Sequence, residues 1–203
     1  MNSRQDPRME YFDSLAADWD REEPSADEMV AGLSAQADLL KLRAGEDLLE
    51  VGCGTGKTTG WLAGQVAPGR VTAIDFSPKM IEQARGKSID ADFACVDVCA
   101  DDLGRDVYDV ILCFHSFPHF RDQQAALRNF ATAMKPTGRL IVMHLVGSEH
   151  LNQFHASLAG AVSGDALPVG DEWTALLDAA GLRQTKHVDR HDLFFLEAVL
   201  KAG

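Results

Sequence analysis

Residues 50–58 read Glu-Val-Gly-Cys-Gly-Thr-Gly-Lys-Thr, an acid followed by glycine at alternate positions. Gly52, Gly54 and Gly56 carry no Cβ and reach backbone angles closed to other residues, so a ligand can approach this main chain closely. A second group of reactive side chains lies further on. Phe114-His115-Ser116-Phe117-Pro118-His119-Phe120 follows one apolar run, His144 ends another, and His150 and His155 come soon after. Five of the seven histidines fall within residues 115–155, and imidazole serves as a proton acceptor near neutral pH or as a metal ligand.

The spacing of the glycine loop separates its candidate ligands. A phosphate-binding P-loop needs a glycine, four residues and then Gly-Lys-Ser/Thr. Gly56-Lys57-Thr58 supplies the end, but Val51 stands where the first glycine belongs. The dinucleotide fingerprint is G-x-G-x-x-G. Here the third glycine, Gly56, comes one residue early, although Gly60 follows.

Strands and helices must position these groups. Apolar strand-like runs fall at 48–51, 71–74, 93–96, 110–114 and 140–143, with helical patterns at 57–66, 79–86 and 123–134 between them. Alternation of this kind implies βαβ units and a parallel sheet. Ser25, with Glu28 three residues on, predicts a capped helix over 26–41. A helix at 171–180 stops at Gly181. Two further runs, 182–188 and 193–200, are joined by a turn so short that only an antiparallel hairpin fits. The sequence therefore predicts one α/β domain over 1–203, with a doubly wound, mostly parallel seven-stranded sheet and a C-terminal antiparallel hairpin. Residues 1–30, acidic and dotted with Tyr11, Phe12 and Trp19, form a helical extension or lid. Residues 145–170 form a mobile acceptor-side segment; 158–169, with small residues and Pro168, read as its loop.

Bulk composition narrows the function classes. The 203 residues suit one domain, and 46% hydrophobic residues with 25% charged fit a full core. A formal net charge of -12 argues against nucleic acid, whose binding rests on Lys and Arg. There is no signal-peptide pattern and no apolar run long enough to span a membrane. Cys53, Cys95, Cys99 and Cys113 show no zinc-type pairing, and a cytoplasmic protein with reduced thiols is the simplest reading.

The glycine loop and the motifs downstream of it resemble those of the class I S-adenosylmethionine-dependent methyltransferases. Glu50-Val-Gly-Cys-Gly-Thr-Gly resembles their first signature. Ile74-Asp75-Phe76-Ser77-Pro78-Lys79-Met80-Ile81 resembles the second, Asp97-Val98 the acidic adenine site, and Tyr108-Asp109-Val110-Ile111 the fourth strand. Met134-Lys135-Pro136-Thr137-Gly138-Arg139-Leu140 resembles the turn before the fifth strand. These motifs, in register across one sheet, agree with one another. The resemblance implies a Rossmann-like fold that binds S-adenosylmethionine and releases S-adenosylhomocysteine.

It also implies a cofactor set: Glu50, Gly52, Cys53, Gly54, Gly56, Asp75, Phe76, Met80, Asp97, Val98 and Phe114. Asp75, 19 residues after Gly56, is placed to accept the ribose hydroxyls; a helix-cap role is the alternative, and Ser77 with Pro78 forms a further cap signal. Asp97 is expected at the adenine amino group, with the Val98 N–H at a ring nitrogen. Met80 faces adenine or packs in the core. Glu50 is expected to act through the loop or the donor's ammonium. Lys57 sits unfavourably at a helix's first turn and is expected to point to solvent or to Glu50.

Acceptor chemistry is expected beyond the C-terminal ends of the fourth and fifth strands. His115, His119 and His144 are the candidate catalytic residues, one of them as general base. If a metal ion is used instead, His115, His119, His144 and His155 are its candidate ligands; otherwise these are rim or capping histidines. Pro118 prevents His115 and His119 from sharing a helical face. Phe114, Phe117, Phe120 and Phe154 divide between core and acceptor pocket. The predicted function is methylation of a small molecule by a monomer or homodimer. The rivals are a metal-assisted methyltransferase, a non-catalytic S-adenosylmethionine-binding regulator and a nicotinamide oxidoreductase.

Overall fold

The computed structural model describes residues 6–21 and 24–202. Those parts of the expected N-terminal extension at 1–5 and 22–23 lie outside the described residues. The seven strands run in the order β3-β2-β1-β4-β5-β7-β6, the Rossmann-like arrangement that the sequence implies. The chain divides into two compact units, Met1–Asp97 and Val98–Gly203.

In the first unit, β1 (Leu48–Val51), β2 (Val71–Asp75) and β3 (Asp92–Cys95) are parallel, with Val51 opposite Ile74 and Asp75 opposite Cys95. All four β1 residues are buried, which suits a strand covered on both faces. Four helices belong here: α1 (Pro7–Leu15), α2 (Ala26–Ser34), α3 (Ala37–Leu40) and α4 (Thr59–Val66), followed by a fifth, α5 (Pro78–Arg85). The Ser25–Glu28 capping box forms: the Ser25 hydroxyl accepts the Glu28 N–H and the Glu28 carboxylate accepts the Ser25 N–H. The single helix expected over 26–41 is two. The chain turns at Gln36, and Lys41 closes α3 in the left-handed region with φ 47°. No proline or glycine marks that break.

In the second unit, β4 (Tyr108–Phe114) and β5 (Met134–His144) are parallel. β5 pairs antiparallel with β7 (Leu193–Leu200), and β7 with β6 (Leu182–Arg190). The expected hairpin is therefore present. β5 begins six residues earlier than its apolar run at 140–143. Its first residue, Met134, pairs with Tyr108, and the ladder resumes at Arg139 opposite Val110. The intervening Lys135-Pro136-Thr137-Gly138 is thus an irregularity within the strand rather than a turn before it. The core of this unit is the buried middle of β4 and β5 with Phe117, Phe130, Trp173 and Phe194. The edge strand β6 is largely exposed and carries Arg183, Gln184 and Lys186, residues that discourage further strand pairing.

Helices α6 (Gln123–Ala133), α7 (Ser148–Ser157) and α8 (Asp171–Ala179) complete the unit. α7 has no cap from its own Gly147. The hairpin provides one instead: the Asp189 carboxylate accepts both the Ser148 N–H at 3.0 Å and the Ser148 hydroxyl at 2.5 Å. An acid at this end also suits the helix dipole.

Candidate functional site

The glycine loop is fixed from three sides within the first unit. The N–H groups of Gly52 and Cys53 both donate to the Ile74 carbonyl. The Asp75 carboxylate accepts the Gly54 N–H at 2.9 Å through one oxygen and the Ser77 N–H at 2.9 Å through the other. Gly54 has φ +55°, and a Cβ there would meet the Trp19 indole nitrogen at 3.4 Å. The left-handed angle favours glycine here, while the 3.4 Å contact is ordinary van der Waals distance. Ser77 caps α5 with Pro78 behind it, as its sequence signal implies.

Glu50 is 2% exposed and receives the Thr58 and Thr59 hydroxyls at 2.6 and 2.5 Å. Burial pushes its carboxyl up to about 7, against the lowering effect of the two hydroxyls. Glu50 therefore ties the strand to α4. Lys57 goes elsewhere: its ammonium donates to the Pro24 carbonyl at 2.9 Å. Of the two places expected for Lys57, solvent or Glu50, this exposed contact matches the first; two hydroxyls adjacent in sequence already reach the acid.

The N-terminal segment lies against this loop. Asp20 accepts the Thr55 hydroxyl at 2.5 Å and pairs with Lys87 at 2.7 Å. Phe12 meets Phe76 edge to face with centroids 5.8 Å apart. Asp13 accepts the Ser77 hydroxyl at 2.5 Å. Phe76, expected at the cofactor, is thus an aromatic wall shared with the extension. Met80 is 1% exposed, and Asp97 is buried at the end of the unit. Cys53 is also buried, and burial raises its thiol far above the ordinary range.

The second unit gathers four histidines. His115 follows β4 with φ +57°, a strained angle for a residue with a side chain and one that clusters at functional positions. Its Nε2 accepts the Leu145 N–H at 3.4 Å. His144 ends β5, and its ring lies 5.1 Å from that of His115. It is 1% exposed, and neither ring nitrogen has a hydrogen-bond partner among the described residues. His119 and His155 are also 5.1 Å apart. His119 Nδ1 lies 2.7 Å from the Asp165 carboxylate, and His155 Nδ1 lies 3.0 Å from the Asp165 carbonyl. Burial, then His119, hold His115 down to about 4. Burial and the other three imidazoles hold His144 well below the ordinary histidine range, and burial lowers His155. Burial thus disfavours the charged form of these three rings.

Residues 165–167 are held against this cluster. The Asn152 amide binds both the N–H and the carbonyl of Leu167, at 2.8 and 2.9 Å, and Gln123 reaches the Ala166 carbonyl at 2.9 Å. Asp165 is the residue that sequence reasoning missed. It stands between Gly164 and Ala166 with no pattern to mark it. Other expected members stand apart. His150 is exposed beside His191, and His187 is exposed on β6. Phe154 is 54% exposed, whereas Phe114 and Phe117 are buried. Val98 is buried, and its carbonyl accepts the Asn129 amide at 2.8 Å. Among the described residues, no three or more His, Cys, Asp or Glu side chains are arranged to hold a metal ion. No helix among them is long and apolar enough to cross a membrane.

The chain is similar in sequence and fold to known proteins. A family model described as a methyltransferase domain matches residues 49–142. Malonyl-[acyl-carrier protein] O-methyltransferase of Acetivibrio thermocellus is 32% identical over 113 residues, covering 55% of this chain and 39% of the relative. Ubiquinone biosynthesis O-methyltransferase of Xanthomonas oryzae pv. oryzae is 32% identical over 161 residues, covering 76% of this chain and 59% of the relative. The chain thus spans less than two thirds of the length of these curated relatives. One chain of a Haloferax volcanii complex containing the Trm112 methyltransferase activator superposes with a TM-score of 0.77 at 18% identity, over 94% of this chain and 98% of that one. The fold likeness and the matched stretch from β1 through β5 agree: residues 49–142 match a methyltransferase domain, and the chain is similar to the class I S-adenosylmethionine-dependent methyltransferases.

Proposed function

We propose that this protein transfers a methyl group from S-adenosylmethionine to an oxygen of a small-molecule acceptor, and that a histidine-rich acceptor side serves the transfer. The observation that carries this reading is the meeting of His115, His119, His144 and His155 around the C-terminal ends of β4 and β5. In open α/β sheets that end of the strands is where ligands bind. The Acetivibrio and Xanthomonas relatives are both O-methyltransferases by name, which favours oxygen as the acceptor atom.

The donor residues fit their ligand. The loop at 52–56 carries three glycines, so a ligand can approach its main chain with few side chains in the way, and Asp75 and Asp97 supply carboxylates at or just beyond the ends of neighbouring strands. Glu50, Gly52, Cys53, Gly54, Gly56, Asp75, Phe76, Met80, Asp97, Val98 and Phe114 form the proposed donor set. When bound, S-adenosylmethionine supplies an electrophilic methyl group on a sulfonium. His119, with its side chain 20% exposed, is the proposed proton acceptor. His115 and His144, neutral and buried around it, hold the acceptor and exclude water. The net charge of -12 suits a metabolite rather than nucleic acid, and we place the protein in the cytoplasm.

The test is S-adenosylhomocysteine production by the purified protein against a panel of hydroxylated and carboxylated small molecules, with calorimetric titration of S-adenosylhomocysteine and NADH. Binding of S-adenosylhomocysteine with turnover of at least one oxygen acceptor is expected, and His119→Ala abolishes that turnover while keeping the binding. Tight NADH binding without S-adenosylhomocysteine binding overturns the reading.

A further inference from the structure

Asp165 touches two of the four clustered rings through two different atoms. Its carboxylate meets His119 Nδ1 at 2.7 Å, and its own main-chain carbonyl meets His155 Nδ1 at 3.0 Å. The carboxylate has no exposure to solvent. A carbonyl oxygen only accepts, so the hydrogen of the second bond belongs to His155 Nδ1. An ionised carboxylate also only accepts, which puts a hydrogen on His119 Nδ1. Neutral imidazole carries one hydrogen, so each ring then has its basic lone pair on Nε2. The two rings stand 5.1 Å apart and tilted by 56°.

The loop holding Asp165 is built to keep it there. Asn152, one turn before His155 on α7, clamps Leu167 by both its N–H and its carbonyl. Gln123, on the first turn of α6, takes the Ala166 carbonyl. The residues flanking Asp165 on its C-terminal side are thus bonded to two helices, and these bonds hold the loop without using the Asp165 carboxylate. None of the donor-binding motifs includes an acid at this place, and in sequence Asp165 lies 46 residues from His119.

We propose that Asp165 is a positioning residue that sets the tautomer of His119 and His155 together, so that both rings present Nε2 as a hydrogen-bond acceptor to a proton-bearing methyl acceptor. This rests on the O-methyl transfer given as the protein's function. In that reaction the acceptor's oxygen bonds to the methyl carbon while the carbon–sulfur bond breaks with its electron pair kept on sulfur. The acceptor's O–H proton moves to His119 Nε2, and the Nδ1 hydrogen stays in its bond to Asp165. The resulting imidazolium sits beside the carboxylate, as in other acid–imidazole pairs where the acid orients the ring and stabilises its charge. His155, held by a carbonyl rather than a carboxylate, gains no such stabilisation; it is a hydrogen-bonding group and not the base.

Long-range proton–nitrogen correlation spectra of the ¹⁵N-labelled full chain, loaded with S-adenosylhomocysteine, read each tautomer directly. In the native protein both His119 and His155 are expected as the Nδ1–H form. In Asp165→Ala, His119 shifts toward the Nε2–H form that free imidazole side chains prefer, while His155 keeps Nδ1–H because the main-chain carbonyl is retained. Asp165→Leu gives the same pattern and serves if the alanine variant does not fold. Affinity for S-adenosylhomocysteine stays within about twofold, which separates a failure here from a failure of the donor-site reading. An Nε2–H form of His119 in the native protein overturns the proposal without any variant. So does an unchanged His119 in a folded variant, or loss of both tautomers together, which would make Asp165 a loop anchor only.

Discussion

The Asp75 carboxylate accepts the Gly54 N–H at 2.9 Å, so the acid that ends β2 holds the glycine loop after β1. Its other oxygen takes the Ser77 N–H. One buried side chain therefore fixes both the loop and the start of α5 before any ligand arrives. Asp75→Ala leaves two main-chain donors without their acceptor, at about 1–3 kcal/mol for each group left unsatisfied. The expected outcome is a lower denaturant midpoint together with at least a tenfold loss of S-adenosylhomocysteine affinity. A variant that loses affinity with unchanged stability would show that Asp75 serves the ligand and not the loop.

Two buried groups give stability opposite slopes in pH. Glu50 has its folded-state value raised from 4.5 to about 7, so the folded protein holds a proton that the unfolded chain releases above 4.5. Stability then falls as pH rises from 4.5 toward 7, by ~2–4 kcal/mol at 1.36 kcal/mol per unit. His115 is lowered from 6.5 to about 4, so its contribution is complete above 6.5 and is lost as pH falls toward 4. Glu50→Gln should flatten the loss of stability on the rising side. His115→Asn, which tolerates the left-handed angle, should flatten the loss on the falling side. Urea denaturation from pH 4 to 8 measures both, and a Gln variant with the native slope would mean that another group takes up the proton.

Much of the first unit is legible in the sequence because its signals are local. The Gly52–Gly56 loop, the Ser77-Pro78 cap and the Ser25–Glu28 box each depend on residues a few positions apart, and each is present. The sequence position of Lys57 leaves it between solvent and Glu50, and local chemistry decides it: the Thr58 and Thr59 hydroxyls meet that acid's hydrogen-bonding demand from the adjacent turn, and the ammonium stays at an exposed carbonyl. The acceptor side is legible only as a run of histidines. Which of them meet depends on β4, β5 and α7 coming together, and their orientation depends on Asp165, which has no periodic or motif signal. The capping of α7 by Asp189, 41 residues away, is hidden in the same way.

That cap leads to a prediction about α7. Gly147 offers no side chain, so Asp189 alone among the described residues supplies carboxylate bonds to the first turn, through the N–H and hydroxyl of Ser148. A Cβ on Gly147 would come within 2.4 Å of the Arg190 carbonyl oxygen, so the hairpin and the helix start are in close contact. Asp189→Ala should cost about 1–2 kcal/mol, the usual value of a lost helix cap. Hydrogen exchange should quicken first in the opening turn of α7. Uniform quickening across the β-sheet would instead place the effect in the β6–β7 hairpin.

His144 carries two buried ring nitrogens with no hydrogen-bond partner among the described residues. Each such group costs on the order of 1–3 kcal/mol, and burial already keeps the ring neutral. The ring packs between His115 and Phe194, at 5.1 and 6.3 Å, so apolar atoms of similar volume fit the space. An unsatisfied polar residue in such a core lowers stability, and such residues are commonly retained where function requires them. His144→Leu conserves volume well enough to avoid overpacking. The variant is expected to be more stable than the native protein by ~1–2 kcal/mol, raising the melting temperature by about 2–8 °C for a chain of this size. Methyl transfer should fall by at least tenfold, while S-adenosylhomocysteine binding stays unchanged. The gain should also grow as pH falls, because the native ring must take up a proton on unfolding. A destabilised Leu variant would show that His144 serves packing and hydrogen bonding within the fold, and would remove it from the acceptor site.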